Sequence, residues 1–367
     1  MSRFLPLLLL ALSRAPVQET RTEGAATVSP MGGDLRIWRG AKKKIETVAK
    51  QVLMDSTDRV GSPKGDPVVL MSDDDIVLSV KGVKIGDGVG LSLVRTEAGL
   101  VVRFADGSLL VDAFEKPLTI ETAGGRISGK QAYFLIELKD GVTKVTAIDG
   151  ELTFSNPAGE VKLDGGQEST AKEGEAPAEP KNVTIADPSR EFTPKGSMVN
   201  VVKNPGYEED LSVGWSRIKP KETLRAIDAK VVHSGKNAMR ITVTPETTKY
   251  VKAPFVTELD SDQFLTWTPG RRYLVRVYVR RELRKGAIEA SLWVAGVKSV
   301  DDRLKNDDMI FENVKCGDGW KMHRTIVTAT KKEGYVGMKS RVDETPYDAT
   351  IWIDDWSAVE LPDVGKK

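Results

Sequence analysis

The sequence predicts an all-β protein of two domains, and three observations carry that expectation. Short runs rich in Val, Ile, Leu and Thr follow one another from Gly32 to Ala171, broken by Asp-Gly, Gly-Gly and Asn-Pro-Ala-Gly. The stretch RRYLVRVYVRR, from Arg271, alternates with period two. Between these strand-rich halves lies a segment rich in Pro, Glu, Lys, Ser and Gly, from Gly165 to Ser197. The expected layout is an export signal over 1–15, a β-sandwich or barrel over 32–171, a flexible linker over 172–197 and a second β-sandwich over 198–361.

Composition bounds the function. The chain has 367 residues, 40% of them hydrophobic, which is enough for two or three cored domains and too many for a disordered polymer. Lys and Arg total 54 against 53 for Asp and Glu, a net charge of +1 that argues against a nucleic-acid or anionic-membrane partner. The only cysteine, Cys316, excludes an intrachain disulfide and a multi-thiolate zinc site. The only histidines, His233 and His323, leave no room for a multi-histidine metal centre.

The N-terminus, MSRFLPLLLLALSRAPVQ, places Arg3 before an apolar run from Phe4 to Leu12 and then small residues. That is the shape of a secretion signal, and it is too short to span a bilayer. A frayed apolar terminus is the other reading. No later stretch is apolar enough for a membrane span, so the expectation is an extracytoplasmic protein with no transmembrane anchor.

In the first half, DDIVLSVKGVKI, GLVVRF, SLLVDAF, PLTIET, AYFLIEL, TKVTAI and ELTFS read as successive strands. AKKKIETVAKQVLM, from Ala41, reads either as a helical excursion or as an edge strand. Period two returns after Met198. In the stretch from Arg271, Tyr273, Val275, Val277 and Val279 share one face, and Leu274, Arg276, Tyr278 and Arg280 share the other. AIEASLWVAG, HRTIVTAT, YVGMKSRV and ATIWIDDWSAVEL complete a second antiparallel set.

The run PLTIETAGGRISGKQAYFLIELKDGVTKVTAIDGELTFSNPAGEVKLDGGQ resembles the FecR-type domain over about 40–170, with Thr122, Gly129, Phe134, Thr143, Val145, Gly150, Leu163, Gly166 and Gln167 in register. Lys130 departs from the pattern, and KQAY lengthens the turn before Phe134. The resemblance implies an extracytoplasmic β module, with a protein partner as one expectation. Family members that signal to a sigma factor also carry a transmembrane helix and a cytoplasmic part, which this sequence lacks, so the signalling role does not carry over.

VVKNPGYEEDLSVGWS, VVHSGKNAMRIT, WTPGRRYLVRVYVR, DGWKMHRTIVTAT and ATIWIDDWSAVEL, in that order, resemble a carbohydrate-binding module of the galactose-binding jelly-roll type. Asn204, Gly206, Tyr207, Glu208, Gly214, Trp215, Ser234, Gly235, Pro269, Gly270, Tyr273, Trp320, Ile353, Asp354 and Asp355 fit its pattern. The resemblance implies a jelly roll, a glycan or polysaccharide partner, and a structural calcium ion held by Glu208 with Asp354 or Asp355. Oxygen ligands suit a hard dication, although two carboxylates are too few alone, so backbone carbonyls would supply the rest. The alternative is an exposed turn acid and a solvated aspartate pair. Trp215 and Trp320 occupy core positions of the pattern.

For sugar contact, which needs exposed rings and polar groups, the candidates are Arg276, Tyr278, Arg280 and Trp293, with a polar outer strand face as the alternative. No activated nucleophile, GxSxG elbow or phosphate loop is present, and the Asp pairs read as solvated turns, so a non-catalytic binding protein is expected. A structural or signalling-assembly protein whose modules bind other proteins is the rival class.

Overall fold

The structure is a computed structural model that describes residues 24–72, 74–86, 90–114, 116–184, 188–194, 199–215, 225–243, 263–285, 288–299, 309–314, 319–342 and 348–362. The expected export signal and Cys316 lie outside these residues.

The first half opens with β1 (Ala26–Gly32) and β2 (Arg36–Arg39), followed by a 3-10 turn at Gly40–Lys42. Lys43 then takes the left-handed conformation, with φ 48°, which stops the turn from propagating into a helix. Strands β3 (Lys44–Thr47), β4 (Val52–Met54) and β5 (Arg59–Gly61) come next, so of the two readings of AKKKIETVAKQVLM the strand one holds. The run continues through β6 (Val68–Ser72), β7 (Val77–Lys81), β8 (Ser92–Thr96), β9 (Gly99–Arg103) and β10 (Gly107–Ala113). It closes with β11 (Leu118–Thr122), β12 (Gly125–Gly129), β13 (Ala132–Lys139), β14 (Val142–Asp149), β15 (Leu152–Asn156), β16 (Gly159–Leu163), β17 (Gln167–Lys172) and β18 (Lys181–Asn182). A single helical turn, α1 (Ser189–Phe192), separates the halves.

The second half contains β19 (Arg225–Asp228), β20 (Ala238–Val243), β21 (Gln263–Thr266), β22 (Arg272–Lys285), β23 (Ile288–Ala295) and β24 (Val297–Ser299). It ends with β25 (Met309–Val314), β26 (Lys321–Ala329), β27 (Glu333–Val342) and β28 (Asp348–Leu361).

Four sheets stack as layers. The outermost layer of the first domain runs β16-β15-β12-β11-β9-β8, and it packs on a nine-stranded layer ordered β18-β17-β14-β13-β10-β7-β6-β1-β4. One core fills the space between them, with Leu93, Ile120, Ile127 and Phe154 from one side meeting Leu70, Leu78, Val111, Phe134 and Ile136 from the other. A small sheet, β3-β2-β5, flanks this sandwich. The second domain adds a layer ordered β19-β20-β28-β22-β26-β24 and a last one ordered β21-β27-β23-β25. Tyr273, Val275, Val277 and Val279 point into its core with Leu292, Val294 and Val336, as the alternation of RYLVRVYV requires.

The two middle layers also pack on each other. Val69, Met71 and Val77 meet Leu274, Ile326 and Leu361. Leu110 and Tyr133 meet Tyr278 and Met322, with Phe192 of α1 in the same cluster. Strand β6, read VVLMS, is therefore buried along its whole length, because both of its faces are covered. A near-continuous apolar run is what such a strand needs.

Two expectations change here. The first domain starts before residue 32, since β1 runs between β4 and β6 inside the large sheet. The stretch expected to be a flexible linker over 172–197 is docked over much of its length. Strand β18 pairs with β17, Ala178 N–H donates to Thr170 O at 2.9 Å, and Ser169 Oγ donates to Ala178 O at 2.6 Å. The physical reason is that β17 would otherwise present an open edge of N–H and C=O groups. A polar, Pro-rich segment can cover such an edge with its backbone without any apolar side chains.

Candidate functional site

Three places in the second domain hold the residues that the sequence nominates or that the structure adds. The first is the turn NPGYE. Asn204 and Tyr207 both have positive φ, 44° and 53°. The Asn204 side chain stabilises this shape: its Oδ1 accepts from Glu209 N–H and its Nδ2 donates to Glu209 O, each at 3.0 Å. Trp215 Nε1 donates to Asn204 O at 3.0 Å, and Trp356 Nε1 donates to Tyr207 Oη at 2.8 Å. Trp215 is buried in the core, as its position in the sequence pattern implies. Trp320 is only half-buried, against the cluster between the domains, and donates to Val232 O at 3.1 Å.

The opening and closing segments lie side by side. Val201 N–H donates to Ala358 O at 3.0 Å and Trp356 N–H to Pro205 O at 2.9 Å. Strand β28 carries a bulge here: Asp354 faces Tyr278 and Ser357 faces Arg276, so three steps on one strand match two on the other. Asp355 absorbs the extra residue with φ 49°. The bulge turns both carboxylates toward the turn. A methyl group placed on Gly206 would stand 3.5 Å from Asp355 Oδ1, 3.6 Å from Asp354 Oδ1 and 3.7 Å from Glu208 Cγ. Glu208, Asp354 and Asp355 thus all approach Gly206.

Asp354 is fully buried, with 0% exposure. Burial pushes its carboxyl up to about 7, and the neighbouring Asp355 adds to the rise. Backbone N–H groups of His233 (2.9 Å), Ser234 (3.2 Å) and Asp355 (2.8 Å) oppose that rise without cancelling it. Asp355 Oδ2 lies 2.7 Å from His233 Nδ1, and Glu208 Oε1 accepts from Lys236 N–H at 2.8 Å. The donor chemistry fits a hard dication, which would offset charge that a buried acid cannot share with water. The arrangement does not itself close around one: no three His, Cys, Asp or Glu side chains among the described residues form a group able to hold a metal.

The second place is the strand face carrying Arg276, Tyr278 and Arg280, expected to be an open platform. In the structure it is covered. Arg276 Nη2 donates to Asp112 Oδ2 of the first domain at 2.5 Å. Burial opposes the Arg276 charge, but Asp112 outweighs it and the pKa is raised. Tyr278 is buried, its ring stacked on His233 with centroids 3.6 Å apart. The Arg280 guanidinium lies over the Trp352 ring, 5.6 Å from its centroid. A sugar ring needs an uncovered aromatic face, and neither Tyr278 nor Trp352 offers one. Trp293 sits in register opposite Gly337 and Phe311, and its side chain lies outside the described ones.

The third place is the outer surface of the last layer. Phe264 and Tyr335 are opposite one another in the β21–β27 pairing, with ring centroids 6.3 Å apart and planes at 76°. Phe264 is 53% exposed although Leu265 beside it is buried. Sequence reasoning missed this pair because Gln263 inverts the usual reading of QFLT. Gln263 is the inward residue, accepting from Lys203 N–H at 2.5 Å and donating to Lys203 O at 2.7 Å. The signal was the alternation itself: with Leu265 inside, Phe264 must point out.

No protein-family model matches the chain, so the FecR-type resemblance finds no counterpart there. No curated protein matches either. Among solved structures, the carbohydrate-binding module TmCBM61 in complex with β-1,4-galactotriose is similar at 15% identity and TM-score 0.32, over 44% of this chain and 99% of that one. A candidate sugar-binding protein from Bacteroides thetaiotaomicron is similar at 12% identity and TM-score 0.32, over 44% of this chain and 100% of that one. A candidate anti-sigma factor from Parabacteroides distasonis is similar at 14% identity and TM-score 0.27, over 32% of this chain and 56% of that one.

Proposed function

We propose that this chain is an exported, non-catalytic protein that binds glycan or polysaccharide through the outward face of its last sheet. The observation that carries the reading is the Phe264–Tyr335 pair: two rings with planes at 76°, Phe264 half in solvent, on the face of the last sheet opposite its core. Rings of this kind stack on the apolar faces of pyranose units. The ordered motifs of the second half, which resemble a carbohydrate-binding module, support the same reading. Export rests on the N-terminal apolar segment. Among the described residues no helix is long and apolar enough to cross a membrane.

The non-catalytic reading rests on the absence of any nucleophile or phosphate-loop signature in the sequence. Under the same reading Glu208, Asp354 and Asp355 contribute to a structural calcium site, with carbonyl oxygens completing the shell. Such an ion would tie the first turn of the second domain to its last strand.

A glycan array probed with the full chain, with and without calcium, tests the proposal. Retention on at least one polysaccharide class supports it, and uniform silence overturns it. Silence would favour the second reading, in which the domains bind other proteins. Leu53 on β4 and Ile45 on β3, both exposed apolar side chains on edge strands, are the features that favour that reading.

A further inference from the structure

The junction between the two middle layers has segregated charges. Among the described residues four ion pairs cross it, Arg272–Asp75, Arg276–Asp112, Arg324–Asp112 and Arg324–Asp149, and each time the second domain supplies the arginine and the first the aspartate. Asp112 is 2% exposed and lies between Arg276 and Arg324 at 2.5 Å from each. Arg324 also donates to Ala113 O at 3.3 Å, and its guanidinium lies 5.7 Å from the Tyr133 ring centroid. Apolar clusters flank the ion pairs on both sides.

Neither face suits water alone. A parted second domain would expose Leu274, Ile326, Leu361, Tyr278 and Met322 around a block of uncompensated arginines. A parted first domain would expose Val69, Met71, Val77, Leu110 and Tyr133 around Asp112. Large contiguous apolar patches are seldom left open on monomers, and a charge buried opposite its partner is costly to strand.

We propose that the first domain is an intramolecular cap on the second. The two then unfold as one cooperative body, and the outer sheet bearing Phe264 and Tyr335 is held at a fixed orientation, facing away from the first domain. In this account the spacing of Asp75, Asp112 and Asp149 sets the register of docking, because sliding one sheet along the other would leave buried charges without partners. The proposal stands whether or not the outer sheet binds glycan.

Scanning calorimetry and small-angle scattering on the full chain test it. The wild type is expected to show a single unfolding transition and the scattering of one compact particle. Asp112→Arg sets a third cation between Arg276 and Arg324, so the transition should split or fall and the particle should lengthen. Combining Asp112→Arg with Arg324→Asp should recover part of both. If Asp112→Arg does not accumulate as folded protein, Asp75→Arg, at the more exposed end of the junction, makes the same test more mildly. Two independent transitions with dumbbell scattering in the wild type would overturn the proposal, as would charge reversal that changes neither readout.

Discussion

Replacing Asp354 by Asn should change how stability depends on pH. An ordinary aspartate titrates near 3.8, and burial with Asp355 beside it holds this carboxyl at about 7. Below about pH 4 the group is protonated in the folded and unfolded chain alike, and its contribution is fully present. Between about pH 4 and 7 the unfolded chain releases the proton while the folded chain keeps it, so stability falls as pH rises. At ~1.4 kcal/mol per pH unit, the loss across that window approaches about 4 kcal/mol, and it levels off above pH 7.

Other carboxylates act in the opposite direction. Asp55 and Asp348 are held below the usual range, mainly by side-chain hydrogen bonds from Thr57 and Arg284, and they lose stability as pH falls. The informative quantity is therefore the difference between wild type and Asp354→Asn, measured by urea unfolding from pH 4.5 to 8. The Asn amide nitrogen cannot accept from a backbone donor as either oxygen of the carboxyl group does, so the variant carries a penalty of about 1–2 kcal/mol. On top of that, the wild-type advantage should shrink as pH rises toward 7. Added calcium should restore it on the alkaline side, since the ion would take the place of the lost proton. A difference that stays flat across the whole range would refute the reasoning.

Other expectations concern single contacts. Gly334→Ala should destabilise by more than about 2 kcal/mol, because its methyl would overlap Ala295 O and the Trp267 indole, which themselves share a hydrogen bond of 3.1 Å. Thermal unfolding checks this, and a shift no larger than that of a surface change would contradict it. Asp58→Ala should cost about 3 kcal/mol. The buried carboxylate accepts from Arg39 Nη1 at 2.7 Å and from the N–H groups of Gly40 and Asp55 at 3.1 Å, so its loss takes the acceptor from two backbone donors and the buried counter-charge from Arg39. Chelator added to full-length protein prepared with calcium should lower the melting temperature, and an unchanged melt would remove calcium from the account.

Much of this architecture was legible in the chain. The alternation from Arg272 to Arg280 separated the two faces of β22 and named the core-facing one, and in the structure Glu208 on the NPGYE turn approaches Gly206 together with Asp354 and Asp355 of β28. What the alternation could not supply was the identity of the layer covering each face. Leu274, Arg276 and Tyr278 read as an outer surface because an arginine among apolar residues looks solvated. Their cover lies more than 160 positions earlier, at Asp112. The clue was present in VVLMS and in the LLV of SLLVDAF, which put apolar residues on both faces of their strands, unlike a sheet wet on one side. The docked segment before α1 escaped for a different reason. Its interactions are made by backbone groups, which composition does not register.

The most direct test of the central claim is affinity electrophoresis through gels cast with a panel of soluble polysaccharides. Full-length wild type, Phe264→Ala and Tyr335→Ala would run side by side. At least one polysaccharide should slow the wild type, and both variants should move faster in it while melting as the wild type does. Unhindered migration of the wild type in every gel, or undiminished retardation of both variants, would contradict the account.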